Sequence, residues 1–299
     1  MTDMRFAYVR LGSVNAAALR DFYVEALDFR PSDESRWLNG GEGFVLTAPG
    51  YKDGAPLLGI IPATEGAAAH INDTGCAHLC FETTDVKGAV RRLLKHGGRV
   101  ITTMKHPELH PCVYCADPEG NIVEFHIPFP SQKTVGEYLT AAGSLIGVLP
   151  DRAIRGRGGE SALKFIHVNM ITEDWRQLCD WYEGLTASVD FGKLKDHSGS
   201  YKSSVIGIEG VHVVGQHILL RGFAPDCPTF EIFTYSVKGR KEPAKETELG
   251  LNAIGFVTAD VKATAEAIVA AGGRLLTLDD TAALVTDPQG TRIYLRLVN

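Results

Sequence analysis

"DVKGAVRRLLKHGGRV", residues 85–100, and "DVKATAEAIVAAGGRL", residues 260–275, share one frame: Asp-Val-Lys, a helical stretch, then Gly-Gly-Arg and an apolar residue. Each predicts a helix opened by Asp85 or Asp260 near the N-cap and closed by a Gly pair. Downstream come "DPEGNIVEF" from Asp117 and "DPQGTRIYL" from Asp287, in which an Asp-Pro-x-Gly turn feeds a strand. An earlier pair aligns in the same way: "YVRLGSVNAAALRDFYVEAL" from Tyr8 and "HVNMITEDWRQLCDWYEGL" from His167. In both, a short alternating strand leads through a polar cap into a helix bearing an aromatic-Tyr pair, Phe22-Tyr23 or Trp181-Tyr182. Each half therefore holds two modules of strand, helix and further strands, and a duplication of a duplication is the simplest origin.

The 299 residues favour two domains with a core in each. With 44% hydrophobic and 22% charged residues and 32 glycines, the composition is that of a folded, turn-rich protein. A net charge of -6 with scattered Lys and Arg argues against nucleic acid. No window approaches the run of about 20 apolar residues that spans a bilayer, and the N-terminus lacks an export signal, so a cytoplasmic protein with no membrane partner is expected. Six cysteines in that setting read as reduced thiols. Cys112 and Cys115 form a C-x-x-C, but on a strand they point to opposite faces, which argues against a paired role. Residues 129–160 read as a surface linker carrying solvated Arg152, Arg155 and Arg157. They separate an N-terminal domain, 1–128, from a C-terminal one, 161–299.

Four residues stand out on otherwise apolar strands. Alternation puts His78 on a face with Cys76 and Cys80, with Ala77, Leu79 and Phe81 opposite. Glu124 shares a face with Ile122 and His126, His167 with Phe165 and Asn169, and Glu231 with Thr229 and Phe233. A buried carboxylate costs on the order of several kcal/mol unless compensated. These strands offer no obvious Arg or Lys partner, so a divalent cation shared by His78, Glu124, His167 and Glu231 is the economical compensation. Taken singly, each has an ordinary reading, a hydrogen-bonded histidine or a solvated glutamate. It is their joint placement in modules two and three that points to metal.

These segments resemble the vicinal oxygen chelate superfamily, which includes glyoxalase I, fosfomycin and bleomycin resistance proteins and extradiol dioxygenases. The carriers are "HV" ahead of "DWYEGL" (167–185), "FYVEALDF" (22–29), "HLCFETTDV" (78–86) with "GGRV" (97–100), and, most specific, "DPEGNIVEF" (117–125). The resemblance implies an α+β fold of four βαβββ modules forming two glyoxalase-like domains with curved mixed sheets, two modules making each metal-holding cup. Its first-strand ligand position falls on Tyr8, His78, His167 and Ala253. Its last-strand position falls on Glu124, Glu231 and Tyr294 in modules two to four, and module one offers only "PLLGIIP". One working cup from modules two and three, and one vestigial cup from modules one and four, are therefore expected within a single chain.

The N2O2 set leaves two octahedral positions for a substrate with vicinal oxygens, and suits Zn, Ni, Mn, Co or Fe. The resemblance implies a lyase or isomerase working through metal-stabilised enolate or alkoxide chemistry, with Glu124 or Glu231 moving the proton. An alternative turns Glu231 away, leaving a His78, His167, Glu124 triad suited to Fe(II) and a ring-cleaving dioxygenase. A third reading is a non-catalytic, resistance-type binder of a small molecule. Cys76, Cys80, His126 and Tyr114 are candidates to line or support the site, though ordinary packing explains them as well. His106 and His110, in "KHPELHP", read as surface histidines. The partner is a small molecule; a homodimer is compatible with the pattern, but the fused halves do not require one.

Overall fold

The Asn and Asp residues ahead of each module helix act as its caps. In the computed structural model, which describes residues 2–38, 41–51, 56–66, 70–128, 163–223 and 228–298, the Asn15 side chain accepts from the Ala18 amide at 3.2 Å and Asp85 from Gly88 at 2.8 Å. Asp174 accepts from Gln177 at 3.1 Å and Asp260 from Ala263 at 2.9 Å. These caps open α1 (Ala16–Leu27), α2 (Val86–Lys95), α3 (Trp175–Thr186) and, beyond a short α4 (Ser200–Ile206), α5 (Val261–Ala270). Past the ends of α2 and α5, Gly97 and Gly272 take φ of 94° and 96°, left-handed values that favour glycine.

Strands complete four βαβββ modules. Module one contains β1 (Arg5–Ser13), β2 (Arg30–Ser32), β3 (Phe44–Thr47) and β4 (Leu57–Pro62). Module two contains β5 (Gly75–Glu82), β6 (Arg99–Val100), β7 (Cys112–Ala116) and β8 (Ile122–His126). Module three contains β9 (Lys164–Ile171), β10 (Val189–His197), β11 (Val213–Leu219) and β12 (Thr229–Tyr235). Module four contains β13 (Gly250–Thr258), β14 (Arg274–Leu278), β15 (Ala282–Thr286) and β16 (Arg292–Leu297). The first and last strands of every module lie parallel as neighbours.

The sheets cross the duplication. One has the order β14-β15-β16-β13-β1-β4-β3-β2 and the other β10-β11-β12-β9-β5-β8-β7-β6. Antiparallel pairing of β1 with β13 joins modules one and four, and pairing of β5 with β9 joins two and three. This is the exchange expected from the distribution of ligand residues. The backs of both sheets and the four module helices enclose one buried core that includes Phe6, Phe81, Phe125, Phe165, Phe230 and Phe256. Fully burying each such ring stabilises the fold by about 1.5–3 kcal/mol.

Two sequence motifs meet in that core. The Asp117 carboxylate accepts from the amides of Glu119 and Asn121, both at 2.9 Å, shaping its Asp-Pro-x-Gly turn, and Asp287 does the same with Gln289 and Thr291 at 3.1 and 2.8 Å. The Tyr of each helical aromatic pair donates to the same carboxylate: Tyr23 to Asp117 at 3.3 Å and Tyr182 to Asp287 at 3.2 Å. Thus the two modules of one half are tied through Tyr and Asp, while their sheets pair with the other half. Burial pushes both aspartates up to about 6 against the hydrogen bonds that favour their charge.

The expected faces need one correction. Each first strand carries a register shift just ahead of its ligand position, between Phe6 and Tyr8, Cys76 and His78, Phe165 and His167, and Leu251 and Ala253. A bulge adds one residue and breaks strict alternation. Cys76 and Phe165 therefore join the rear core, and Ala77 lines the cup instead. Cys115 also faces the rear core and Cys112 the cup, so the C-x-x-C does split across faces. The linker expected over 129–160, with its three arginines, lies outside the described residues. Among the described residues no helix is long and apolar enough to cross a membrane.

Candidate metal centre

The bulges and the β5–β9 pairing bring His78, Glu124, His167 and Glu231 to one point in the cup of modules two and three. One ligand atom from each lies within 4.8 Å of all the others, and all four residues are buried. His78 Nε2 is 2.9 Å from Glu124 Oε2 and 3.7 Å from Glu231 Oε2; His167 Nε2 is 3.4 Å from both carboxylate oxygens. Burial works against ionisation of both glutamates. For Glu124 the imidazoles of His167 and His78 overcome it, and for Glu231 those of His167 and His217, so both carboxyls stay well below the usual range.

Hydrogen bonding inside the protein satisfies this cluster only in part. His167 Nε2 and His78 Nδ1 are buried without a hydrogen-bond partner among the described residues. An orphaned imidazole nitrogen aimed between two carboxylate oxygens fits a shared cation, and two imidazoles with two carboxylates form a donor set for a first-row divalent metal.

The outer oxygen of each glutamate is held by a residue that alternation alone did not single out. His217, on β11 directly across from Glu231, places Nε2 3.1 Å from Glu231 Oε1, while its Nδ1 lies 2.9 Å from Thr229 Oγ1. These partners fit a neutral ring whose Nε2 donates and whose Nδ1 accepts from Thr229. Burial pulls His217 below its ordinary value, consistent with that form. Asn169 Nδ2 donates to Glu231 Oε2 at 2.9 Å. On the other side, the Cys112 thiol donates to Glu124 Oε1 at 3.0 Å. Burial first and Glu124 second push the Cys112 and Cys80 thiols up, so both favour the protonated form that lets Cys112 donate to Glu124.

The remaining expectations sort cleanly. Tyr114 lines the cup, with its ring edge-on to His78 at 5.2 Å. Cys80 lies opposite Glu124 in the β5–β8 ladder. His126 is buried on the Glu124 face, with Nδ1 against the Ile127 carbonyl. Cys76 is excluded by its bulge. His106 is exposed, and the His110 ring rests 6.1 Å from Tyr201.

The second cup shows what replaces the cluster. In the cup of modules two and three the last-strand carboxylates sit opposite Cys80 and Asn169, each two residues past the clustered histidine. The same register in modules one and four gives Gly59 opposite Arg10 and Tyr294 opposite Gly255. His78, Glu124, His167 and Glu231 thus correspond to Tyr8, Gly59, Ala253 and Tyr294. Tyr8 fills the vacated space: a Cβ on Gly59 would lie 1.9 Å from its hydroxyl. Trp37 stacks on Tyr8 with ring centroids 4.6 Å apart, and a Cβ on Gly255 would meet Trp37 at 2.5 Å. An aromatic plug occupies the place that the four-residue cluster takes in the other cup.

Comparison with known proteins places this architecture. The sequence profile of the Glyoxalase/Bleomycin resistance protein/Dioxygenase superfamily matches residues 5–125. No curated protein matches the chain significantly in sequence. Among solved structures, glyoxalase I from Zea mays is similar at 15% identity with a TM-score of 0.60, covering 98% of this chain and 92% of that one. A mutant of the same Zea mays enzyme is similar at 16% identity with a TM-score of 0.59, covering 99% and 94%. A candidate dioxygenase from Bacillus subtilis is similar at 12% identity with a TM-score of 0.60, covering 99% and 86%. At these identities the likeness is one of fold.

Proposed function

We propose that this chain, whose residues 5–125 match the sequence profile of the Glyoxalase/Bleomycin resistance protein/Dioxygenase superfamily, is a metal-dependent lyase or isomerase acting on a small molecule with vicinal oxygens. His78, Glu124, His167 and Glu231 hold one divalent ion, Zn, Ni, Mn, Co or Fe. The observation that carries this reading is the convergence of four buried ligand atoms, drawn equally from both halves of the chain, within 4.8 Å of one another. The setting is cytoplasmic and the partner is a small-molecule substrate, with a homodimer compatible with the same site.

When bound, a divalent ion supplies Lewis-acid polarisation of a substrate oxygen. The protein's own groups do the rest. The imidazoles, neutral when they ligate, leave the carboxylates as the anionic groups at the reacting centre, and Glu124 or Glu231 takes up a proton from substrate carbon and returns it. The protonated Cys112 thiol and the neutral His217 ring hold the outer carboxylate oxygens, so either glutamate can swing only about a fixed hinge point. Tyr114 and Phe233, in the apolar wall of the cup, exclude bulk water from the reacting face.

Glu231 Oε2 stands 3.4 Å from His167 Nε2, the same distance as Glu124 Oε2. This favours a four-group set over a three-group iron triad with Glu231 turned outward. Elemental analysis of purified protein beside His78→Ala and His167→Ala variants tests the site: both substitutions should lower the metal content. Metal content unchanged in each variant refutes the shared centre. Stoichiometric oxygen uptake with a catechol on the iron-loaded protein would replace the lyase or isomerase reading with the dioxygenase one.

A further inference from the structure

The plug of Tyr8 and Trp37 fills only the bottom of the second cup. Above it, between β14, β15 and β16 and the 3-10 turn Ser35–Leu38, a groove of about 660 Å³ remains. Pockets that take small molecules have about this volume and combine an apolar floor with a few convergent polar groups. The floor here is Tyr294 and Leu284, both buried members of the second-cup cluster. Its cationic wall is Arg296 and Arg36.

The charges in this groove are unevenly compensated. Arg36 lies 2.9 Å from Glu34, outside the lining. Arg296 makes no ion pair with any described residue, and its Nε is buried without a hydrogen-bond partner. Its guanidinium sits 5.9 Å from the Tyr294 ring centroid. Among the described residues one carboxylate lines the groove, Asp279, and its Oδ1 already accepts the Thr281 amide, the Thr281 hydroxyl and the Ala282 amide at 2.8, 3.1 and 2.8 Å. Burial, with the nearby Arg36 charge adding to it, holds Arg296 below its ordinary value against the pull of Asp279. A half-buried guanidinium whose Nε has no acceptor among the described residues fits an oxyanion, which matches its forked donors.

We propose that the mouth of the second cup binds a small organic anion, its apolar body on Tyr294 and Leu284 and its carboxylate or phosphate on Arg296, with Arg36 completing the clamp. This site stands on residues distinct from the candidate metal centre and does not depend on the proposed activity. The loss of the four ligating residues in modules one and four then marks conversion of a metal cup into an anion-reading one.

Backbone amide spectra of the full-length chain, titrated separately with benzoate, phenyl phosphate and benzyl alcohol, test the assignment. Saturable shifts at Leu284, Tyr294 and Arg296 are expected with at least one of the two anions, and which one saturates first identifies the head group. Arg296→Gln should weaken that binding at least tenfold and Arg36→Gln by a smaller factor, with Arg296→Lys recovering part of the loss. Benzyl alcohol binding as tightly as the anions would overturn the proposal. So would affinity unchanged in Arg296→Gln, or shifts confined to the cup of modules two and three.

Discussion

Glu231 is anchored at both ends of its carboxylate, by His217 and Asn169, and on the proposed function that anchoring sets how well a cation is held. In a His217→Ala variant, Oε1 loses the Nε2 donor at 3.1 Å, in a place where the Glu231 side chain is only 10% exposed and water is a poor substitute. A hydrogen bond to a charged group contributes about 1.5–3 kcal/mol. If that anchoring matters only when Oε2 is committed to a cation, the whole loss appears in binding, a factor of roughly 10–150 at 1.4 kcal/mol per tenfold. If the apo protein loses part of it too, the binding effect shrinks and folding stability falls by the difference. Cys112→Ala removes a weaker donor from Glu124 Oε1, so its effect should be smaller, about 0.5–1.5 kcal/mol. Competition with a chromophoric chelator, using Zn and Co on both variants and the parent, measures the affinities, and urea unfolding of the metal-free proteins measures the remainder. An affinity of His217→Ala within threefold of the parent, together with unchanged apo stability, would refute the view that this imidazole positions Glu231. A larger loss for Cys112→Ala than for His217→Ala would refute the ranking of the two anchors.

Other perturbations test the frame around the centre. Asp117, held by burial at about 6 where an exposed aspartate titrates near 3.8, keeps its proton in the folded state over a window in which the unfolded chain has released it. Its contribution to stability therefore declines as pH rises from about 4 through about 6. Asp117→Asn lacks that dependence and should gain on the parent by about 2–3 kcal/mol between pH 4 and 7, as read by urea midpoints; a constant difference would refute the shift. Gly59→Ala drives a methyl group into the Tyr8 hydroxyl at 1.9 Å and should destabilise the second cup by about 1–3 kcal/mol while leaving metal content unchanged, measured by thermal unfolding and elemental analysis. Loss of metal in that variant would show that the two cups are not independent.

Much of this architecture was legible in the order of residues. Capping aspartates, Gly pairs and Asp-Pro-x-Gly turns act within a few residues of themselves, so their repetition located four helices and the turns that feed the last strands. The four ionisable residues on apolar strands were legible for a similar reason: a charge among Ile, Val and Phe is conspicuous wherever the chain goes. That modules one and four lack the His and Glu set could be read from the missing carboxylate in "PLLGIIP" and from Ala253.

What the tertiary structure alone decided is everything that depends on register between distant strands. The bulges before Tyr8, His78, His167 and Ala253 change which side chains face the cup, and a bulge leaves no mark in composition because it depends on pairing with a strand from the other half. His217 became an anchor for Glu231 only through the β11–β12 ladder, and Tyr23 met Asp117, 94 positions further along the chain, only on folding. Tyr8 and Trp37, unremarkable aromatics along the chain, became a plug because Gly59 and Gly255 leave room for them. Local chemistry names the groups that need a partner, and long-range pairing decides which partner each one finds.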